Sequence, residues 1–194
     1  MIKLLRYGNT NTYFIGGENK GILIDTDWAG TLPAFYKAIK LCSIRIEDIG
    51  YVIATHYHPD HMGLISELNE LGIKLLLVDV QRDYVHFPDE IFNRDTKLRY
   101  TPISENDAAV ISCAESRTFL SSLGISGEMI HTPAHSEDSV SILLDEGAAI
   151  VGDLPPFDTV EAYNENECLR KCWNDILEHH PKVVYYSHAN ERYF

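Results

Sequence analysis

The segment that decides how this chain is interpreted is Thr55-His56-Tyr57-His58-Pro59-Asp60-His61. In an extended chain the side chains of His56 and His58 project to the same side, as two ligands of one metal ion require. Asp60 and His61 follow the bend that Pro59 enforces, so they can turn toward a second ion. The segment lies between a predicted strand and a predicted helix, where ligand sites often form in layered α/β proteins. It therefore predicts a metal centre.

Three other predicted strands each end close to one more possible ligand. Zinc takes about four ligands in proteins, and a catalytic site keeps one position open, so residues 55–61 cannot complete a site alone. His135, Asp153 and His188 each follow a predicted strand. Such strand-to-loop junctions meet at one edge of a layered sheet. We expect these three side chains to join the cluster, and the sequence offers no convincing serine or cysteine triad as an alternative.

Runs of strands between helices favour sheets with helices outside them, in a single domain over residues 1–194. The predicted strands are residues 3–7, 12–15, 22–27, 51–54, 74–78, 128–131, 140–144, 148–151 and 183–186. The predicted helices begin near Thr31, Leu64, Ser112 and Glu165. Ser112 and Glu115 form a capping-box pattern. Residues 80–106 are predicted to be irregular and to cover the substrate.

The chain is acidic, with 29 Asp and Glu against 16 Lys and Arg in 194 residues and a formal charge of -13. Such a surface repels phosphate backbones and anionic membranes, which argues against nucleic-acid and membrane partners. No apolar run is long enough to span a bilayer, and the first 17 residues lack the pattern of a secretory signal. We expect a cytoplasmic protein with a small-molecule substrate, and its oligomeric state stays open.

The ordered motifs, from Ile24-Asp25-Thr26 through the HxHxDH segment to His188, resemble those of the metallo-β-lactamase superfamily. The resemblance covers nearly the whole chain and implies an α/β fold, the four-layer αββα sandwich. It implies two zinc ions, with iron or manganese as possible replacements. The ligands that it implies are His56, His58 and His135 for the first ion, Asp60, His61 and His188 for the second, and Asp153 as the bridge. It also implies that Asp25 supports the site from behind the ligands.

Two ions held in this way would lower the pKa of a bridging water toward about 7, giving hydroxide at neutral pH. Asp60 could orient that hydroxide or take its proton. The predicted function is a small glyoxalase II-like hydrolase of an ester, thioester or lactone. The chain ends six residues after His188, which disfavours a glutathione thioester, since that activity goes with a C-terminal helical region. Trp28, Tyr57 and the region of Phe87 are expected to line the substrate pocket.

Two alternatives remain. Sulfur dioxygenases of the same superfamily use a similar histidine motif to hold a single iron and oxidise a persulfide. A non-catalytic metal-binding protein could have kept the fold, although the intact ligand set argues against decay. Among the other histidines, His131 and His86 could assist the site, whereas His179 and His180 are expected to close the last helix.

Overall fold

The computed structural model describes residues 2–162 and 165–194, and two sheets form its centre. In the first sheet six strands follow their order in the chain. These strands are β1 (Ile2–Arg6), β2 (Asn11–Ile15), β3 (Gly21–Ile24), β4 (Ile49–Ile53), β5 (Lys74–Val78) and β6 (Ala109–Ile111). β1, β2 and β3 pair antiparallel, and the remaining neighbours pair parallel.

The second sheet has five strands, arranged in the order β11-β10-β9-β8-β7. These strands are β7 (Gly127–His131), β8 (Val140–Leu144), β9 (Ala148–Ile150), β10 (Val183–Tyr185) and β11 (Arg192–Tyr193). β9 and β10 are parallel, with Ile150 opposite Tyr185, so both strands end at the same edge of the sheet. The loops that follow β9 and β10 therefore begin side by side.

Helices flank the two sheets. The α-helices are α1 (Leu32–Leu41), α2 (Pro59–Met62), α3 (Ile65–Glu70), α4 (Asp89–Asn93), α5 (Cys113–Ser122) and α6 (Glu167–Glu178). Short 3₁₀ helices occur at Ile46–Asp48, Asp79–Tyr84 and Phe157–Thr159. Helix α5 begins as predicted, because the Ser112 hydroxyl accepts from the Glu115 amide at 3.3 Å and Glu115 accepts from the Ser112 amide at 2.8 Å.

The alternation of side chains along the strands explains the layers. In β3, Ile22 and Ile24 join the core between the two sheets, while Leu23 points to the core under the outer helices of the first sheet. In β9, Ile150 faces the core between the sheets, and Ala149 packs in the core beneath α6. Three parallel cores separate four layers, which confirms the predicted αββα sandwich.

The region predicted to be irregular is partly ordered, so that prediction was wrong in part. Residues 80–106 contain most of one 3₁₀ helix and the whole of α4. Phe92 is 1% exposed, and its ring contacts the Trp28 ring at a centroid distance of 5.0 Å. A five-residue helix is too short to display a helical period, which is why the pattern was missed. No helix in residues 2–162 or 165–194 is long and apolar enough to cross a membrane.

Candidate metal centre

The predicted ligands lie at the ends of strands from both sheets. β4 ends at Ile53, and two residues separate the end of this strand from His56. Asp153 follows β9 and His188 follows β10, and these two strands end at the same edge. His135 lies in the loop between β7 and β8. Parallel strand ends and one hairpin loop thus bring distant parts of the chain to one edge of the sandwich.

Three overlapping groups of side chains form at this edge, and in each group the possible ligand atoms lie within 4.8 Å of one another. The first and second groups share His56, and the second and third groups share His61. The groups are His56, His58 and His135; His56, His61 and Asp153; and Asp60, His61 and His188. The structure therefore brings together all seven residues that the sequence nominates, and Asp153 lies in the group that joins the two ends.

The donor set fits metal cations. The Nδ1 atom of His58 lies 2.9 Å from His56 Nε2 and 3.3 Å from His135 Nε2, so three imidazole nitrogens converge. Both His61 Nε2 and Asp153 Oδ1 are buried without a hydrogen-bond partner. Buried polar atoms in folded proteins are almost always paired, and an ion is one of the partners that resolves such cases. Imidazole and carboxylate are also the ligands that zinc prefers beside thiolate.

Charges in the cluster favour the protonation states that ligands need. Burial, followed by the neighbouring imidazoles, lowers the pKa of His56 far below its usual range, so this ring is neutral. Burial also lowers the pKa of His135. For Asp153, burial opposes ionisation, but His61 and the other rings outweigh it and lower the pKa. Neutral imidazoles and an ionised carboxylate are the forms that bind metal.

Asp25 supports the cluster from behind, where the resemblance placed it. It follows β3 with a left-handed backbone at φ 57, and it is fully buried. Its Oδ2 atom accepts from His61 Nδ1 at 2.9 Å, from the Thr55 hydroxyl at 3.0 Å and from the Ser187 hydroxyl at 2.8 Å. Its Oδ1 atom accepts from the Thr55 amide at 2.6 Å. Because Nδ1 of His61 is bound to Asp25, Nε2 is directed to the cluster.

Two opposing effects act on the pKa of His61. Its burial disfavours the charged ring, but the carboxylates of Asp25 and Asp153 outweigh burial and raise the pKa to about 10 in the metal-free protein. A cation at Nε2 would replace the proton that these carboxylates attract. The same two carboxylates that hold a proton on His61 thus favour a metal ion there.

Other supporting residues gave no signal in the sequence. Asp138 is buried, and its Oδ2 atom accepts from the Tyr57 amide at 2.6 Å, which fixes the chain between His56 and His58. The Thr55 hydroxyl lies 3.2 Å from His56 Nδ1. The contact of Asp138 joins residues that are 81 positions apart in the chain, so only the folded structure shows it.

The remaining histidines lie outside the three groups. His131 Nε2 donates to the Glu137 carbonyl at 2.7 Å. His86 contacts Asp89 at 2.9 Å and Glu105 at 3.3 Å. Each ring therefore has polar partners of its own, and neither residue belongs to the three ligand groups.

Three cavities have a candidate ligand in their walls, and one of them, of about 260 Å³, is lined by Arg6, Asn9, Asn11, Ser187, His188, Ala189 and Asn190. Another, of about 240 Å³, is bordered by the candidate ligands His135, Asp153 and His188, and its other walls are Gly152, Leu154, Pro156, Tyr186 and Ala189. The remaining cavity, of about 130 Å³, is lined by Tyr57, His58, Tyr84, Phe87, Ser136, Glu137 and Asp138. Tyr57 and Phe87 thus line a cavity beside the cluster, whereas the Trp28 ring packs on Phe92.

Curated relatives are similar in sequence to most of this chain. A beta-lactamase-like protein 2 homolog of Drosophila melanogaster is 25% identical over 181 residues, covering 93% of this chain and 59% of that protein. An atrochrysone carboxyl ACP thioesterase of Aspergillus fumigatus is 28% identical over 150 residues, covering 74% of this chain and 29% of the relative. A probable metallo-hydrolase of Methanocaldococcus jannaschii is 28% identical over 189 residues, covering 90% and 87%. The chain therefore spans 59% or less of the length of several relatives that it matches.

Solved structures share the fold. A metallo-beta-lactamase family protein of Thermus thermophilus superposes with a TM-score of 0.73 at 19% identity, covering 98% of this chain and 74% of that one. A putative metallo-beta-lactamase of Thermotoga maritima gives 0.71 at 18% identity, covering 100% and 98%. At these identities the likeness concerns the fold alone. The family model of the metallo-beta-lactamase superfamily matches residues 5–162, which is most of the chain. This protein therefore belongs to the metallo-beta-lactamase superfamily.

Proposed function

We propose that this protein is a metal-dependent hydrolase that binds two metal ions, preferably zinc. Its proposed substrate is a small uncharged ester, thioester or lactone. The observation that carries the proposal is the joined set of three ligand groups, in which His61 Nε2 and Asp153 Oδ1 are buried and have no hydrogen-bond partner among the described residues. Relatives named as a thioesterase and as a probable metallo-hydrolase support the hydrolytic class.

The two ions would be held by different residues. His56, His58 and His135 would hold the first ion, and the second would be held by Asp60, His61 and His188. Asp153 would bridge them, since its Oδ2 atom lies 3.4 Å from His61 Nε2, 3.5 Å from His188 Nε2 and 3.7 Å from His135 Nε2. When bound, the ions supply Lewis acidity, which polarises a carbonyl and makes hydroxide available at neutral pH.

Asp60 is the residue proposed to handle the proton. Its side chain is 35% exposed, whereas that of His61 is fully buried, so water can reach the carboxylate of Asp60. Its Oδ2 atom lies 3.2 Å from His188 Nε2, which fixes its orientation toward the cluster. A carboxylate at hydrogen-bond distance from the attacking water can orient it and accept its proton.

Two of the three cavities support an uncharged substrate. Leu154, Pro156 and Ala189 give the cavity of about 240 Å³ an apolar wall. Among the described residues, neither this cavity nor the one of about 130 Å³ is lined by Lys or Arg, whereas Arg6 lines the third. The smallest cavity carries the carboxylates Glu137 and Asp138, which repel an anionic group. At about 240 and 260 Å³ the two larger cavities are below the usual range of about 300–1,000 Å³ for ligand pockets, which favours a small substrate.

Hydrolysis by metal-free protein reconstituted with zinc tests the proposal. We expect cleavage of an acetyl or butyryl thioester and slower cleavage of a matched succinyl thioester, whose carboxylate meets the acidic cavity. His61→Ala and Asp153→Ala should abolish turnover while keeping the fold, as judged by circular dichroism. His179→Ala is the matched control, because His179 lies at the end of α6 outside the ligand groups. Full activity in either the His61→Ala or the Asp153→Ala variant would contradict the proposal.

The alternatives give different results in the same preparation. One iron per chain with oxygen uptake on a persulfide would identify a dioxygenase. Tight metal binding without turnover of esters, thioesters, lactones or phosphodiesters would identify a non-catalytic binding protein.

A further inference from the structure

We propose that the turn between β1 and β2 sets the affinity for the second metal ion, so that it decides whether the protein carries one ion or two. This support turn consists of residues 8–11. The inference rests on the proposed function, because it concerns the ion assigned to Asp60, His61 and His188. Its residues contact the chain segments that carry two of these three ligands.

The first contact orients His188. The backbone carbonyl of Asn9 accepts a hydrogen bond from His188 Nδ1 at 3.1 Å. A carbonyl oxygen cannot donate, so Nδ1 must carry the proton, and Nε2 presents its lone pair. That Nε2 atom lies 3.2 Å from Asp60 Oδ2. The support turn thus fixes both the tautomer and the direction of this ring.

Asn11 holds the loop around His188. Its side-chain amide donates to the Tyr186 carbonyl at 2.9 Å and to the Ala189 carbonyl at 3.1 Å. Its backbone amide donates to the Ser187 carbonyl at 2.8 Å. His188 is 37% exposed in its side chain, so these backbone contacts on both sides replace the packing that a buried ligand would have.

Thr10 reaches the other ligand segment. Its hydroxyl donates to the Asp60 carbonyl at 2.8 Å, and the residue is only 1% exposed. The position of the Asp60 backbone therefore depends on this hydroxyl. Because Thr10 lies between Asn9 and Asn11, one short turn controls the spacing between Asp60 and His188.

The buried carboxylate of Asp27 holds the support turn in place. Asp27 is 5% exposed, and its Oδ2 atom accepts from the Thr10 amide at 3.2 Å. A Cβ atom on Gly8 would lie 1.7 Å from the same oxygen, so the turn can approach Asp27 only because Gly8 has no side chain. The turn is therefore a fixed support.

The first ion has separate supports. His56 is contacted by the Thr55 hydroxyl at 3.2 Å, and the backbone beside it is held by Asp138 through the Tyr57 amide at 2.6 Å. A change in the support turn should therefore weaken the second ion selectively. A general loss of structure would weaken both ions.

Zinc titration of the metal-free full chain tests the inference, with a chromophoric chelator as competitor. Thr10→Val removes the hydroxyl and keeps the β-branched shape, and it should leave the first affinity within about twofold and weaken the second by about 10–100-fold. Thr10→Ser restores the hydroxyl and should recover the second affinity. Thr12→Val is the matched control, because Thr12 is fully buried on the same hairpin but donates to the Tyr7 hydroxyl.

Two results would overturn the inference. One is a Thr10→Val variant that binds two zinc ions as the wild type does, which would leave the proposed function intact. The other is equal weakening of both ions in Thr10→Val without rescue by Thr10→Ser. A wild-type chain that binds fewer than two zinc ions would contradict the proposed function as well.

A measurement on the wild type keeps the test valid if Thr10→Val fails to fold. In zinc-loaded protein labelled with ¹⁵N at histidine, the ring of His188 should show a protonated Nδ1 and a coordinated Nε2. Coordination through Nδ1 would contradict the role of the Asn9 carbonyl and overturn the inference.

Discussion

At the scale of single residues, the site depends on groups that are buried and fully bonded behind the ligands. Asp25 combines a left-handed backbone at φ 57 with contacts to His61, Thr55 and Ser187. Non-glycine residues adopt this backbone rarely, and Asp and Asn tolerate it best. Local strain of this kind persists where the surrounding structure determines it, often at functional sites.

Asp25→Asn tests this arrangement, because Asn accepts the backbone but removes the charge that orients His61. We expect zinc affinity to fall by about 10–100-fold, as for other residues that orient metal-binding histidines. Isothermal titration calorimetry measures the change. Asp48→Asn is the control, since the Asp48 carboxylate binds Arg45 at the surface and is not among the candidate ligands. Unchanged zinc binding in Asp25→Asn would remove Asp25 from the account.

At the scale of elements, the bend after β9 carries Asp153 into the cluster. Gly152 has φ 60, and a Cβ atom there would lie 2.5 Å from the Thr55 hydroxyl, which itself binds Asp25. The end of β9 can therefore approach the segment after β4 only through a glycine. This close approach links the second sheet to the first at the site.

Gly152→Ala should lower both stability and zinc affinity. Gly72→Ala is a matched control, because Gly72 also has a positive φ of 86 but a Cβ atom would meet nothing within 4 Å. The backbone strain alone should cost about 1 kcal/mol in either variant. We expect Gly152→Ala to lose more than Gly72→Ala in denaturant unfolding, and only Gly152→Ala to bind zinc more weakly. Equal losses in the two variants would contradict the proposed contact with Thr55.

Element by element, the sequence predicted what local patterns encode. β5 and β8 begin and end where predicted, and the capping box at Ser112 starts α5. β3 is shorter than predicted, because the left-handed Asp25 ends it. The three-residue β6 was missed, since so short a strand has no period to detect and depends on pairing with β5.

The contacts that support the candidate site were less predictable from the sequence than the ligands themselves. The side chains nominated from the sequence converge, because they follow strands that end at one edge. The roles of the support turn and of Asp138 could not be predicted. Their contacts with the ligand segments are hydrogen bonds that involve backbone carbonyl and amide groups in distant parts of the chain. Backbone hydrogen bonds of this kind leave no residue pattern in the sequence.

At the scale of the whole molecule, bound metal should stabilise the fold. The site joins loops from both sheets, and within the described part of the chain His61 Nε2 and Asp153 Oδ1 are buried without a hydrogen-bond partner. A ligand that binds only the folded state adds about 2.7 kcal/mol when its concentration is 100 times the dissociation constant. For a chain of this size that corresponds to a shift of roughly 5–10 °C in melting temperature.

Removing metal with a chelator should therefore lower the melting temperature by that amount, and adding zinc back should restore it. Differential scanning calorimetry measures both steps. The triple variant His56→Ala, His61→Ala, Asp153→Ala is the control, because it leaves each proposed ion only two of its ligands, and its melting temperature should respond much less to zinc. A wild-type melting temperature that is the same with and without metal would contradict the linkage between the site and the fold.

The most direct test of the central claim is the number of zinc ions bound per chain. Metal-free protein is titrated with zinc, and the bound metal is counted by mass spectrometry after removal of the excess. The seven converging side chains predict two ions per chain, and His188→Ala should reduce the number to one. A wild-type chain that saturates at one ion, or binds none, would contradict the claim that this cluster is a dinuclear site.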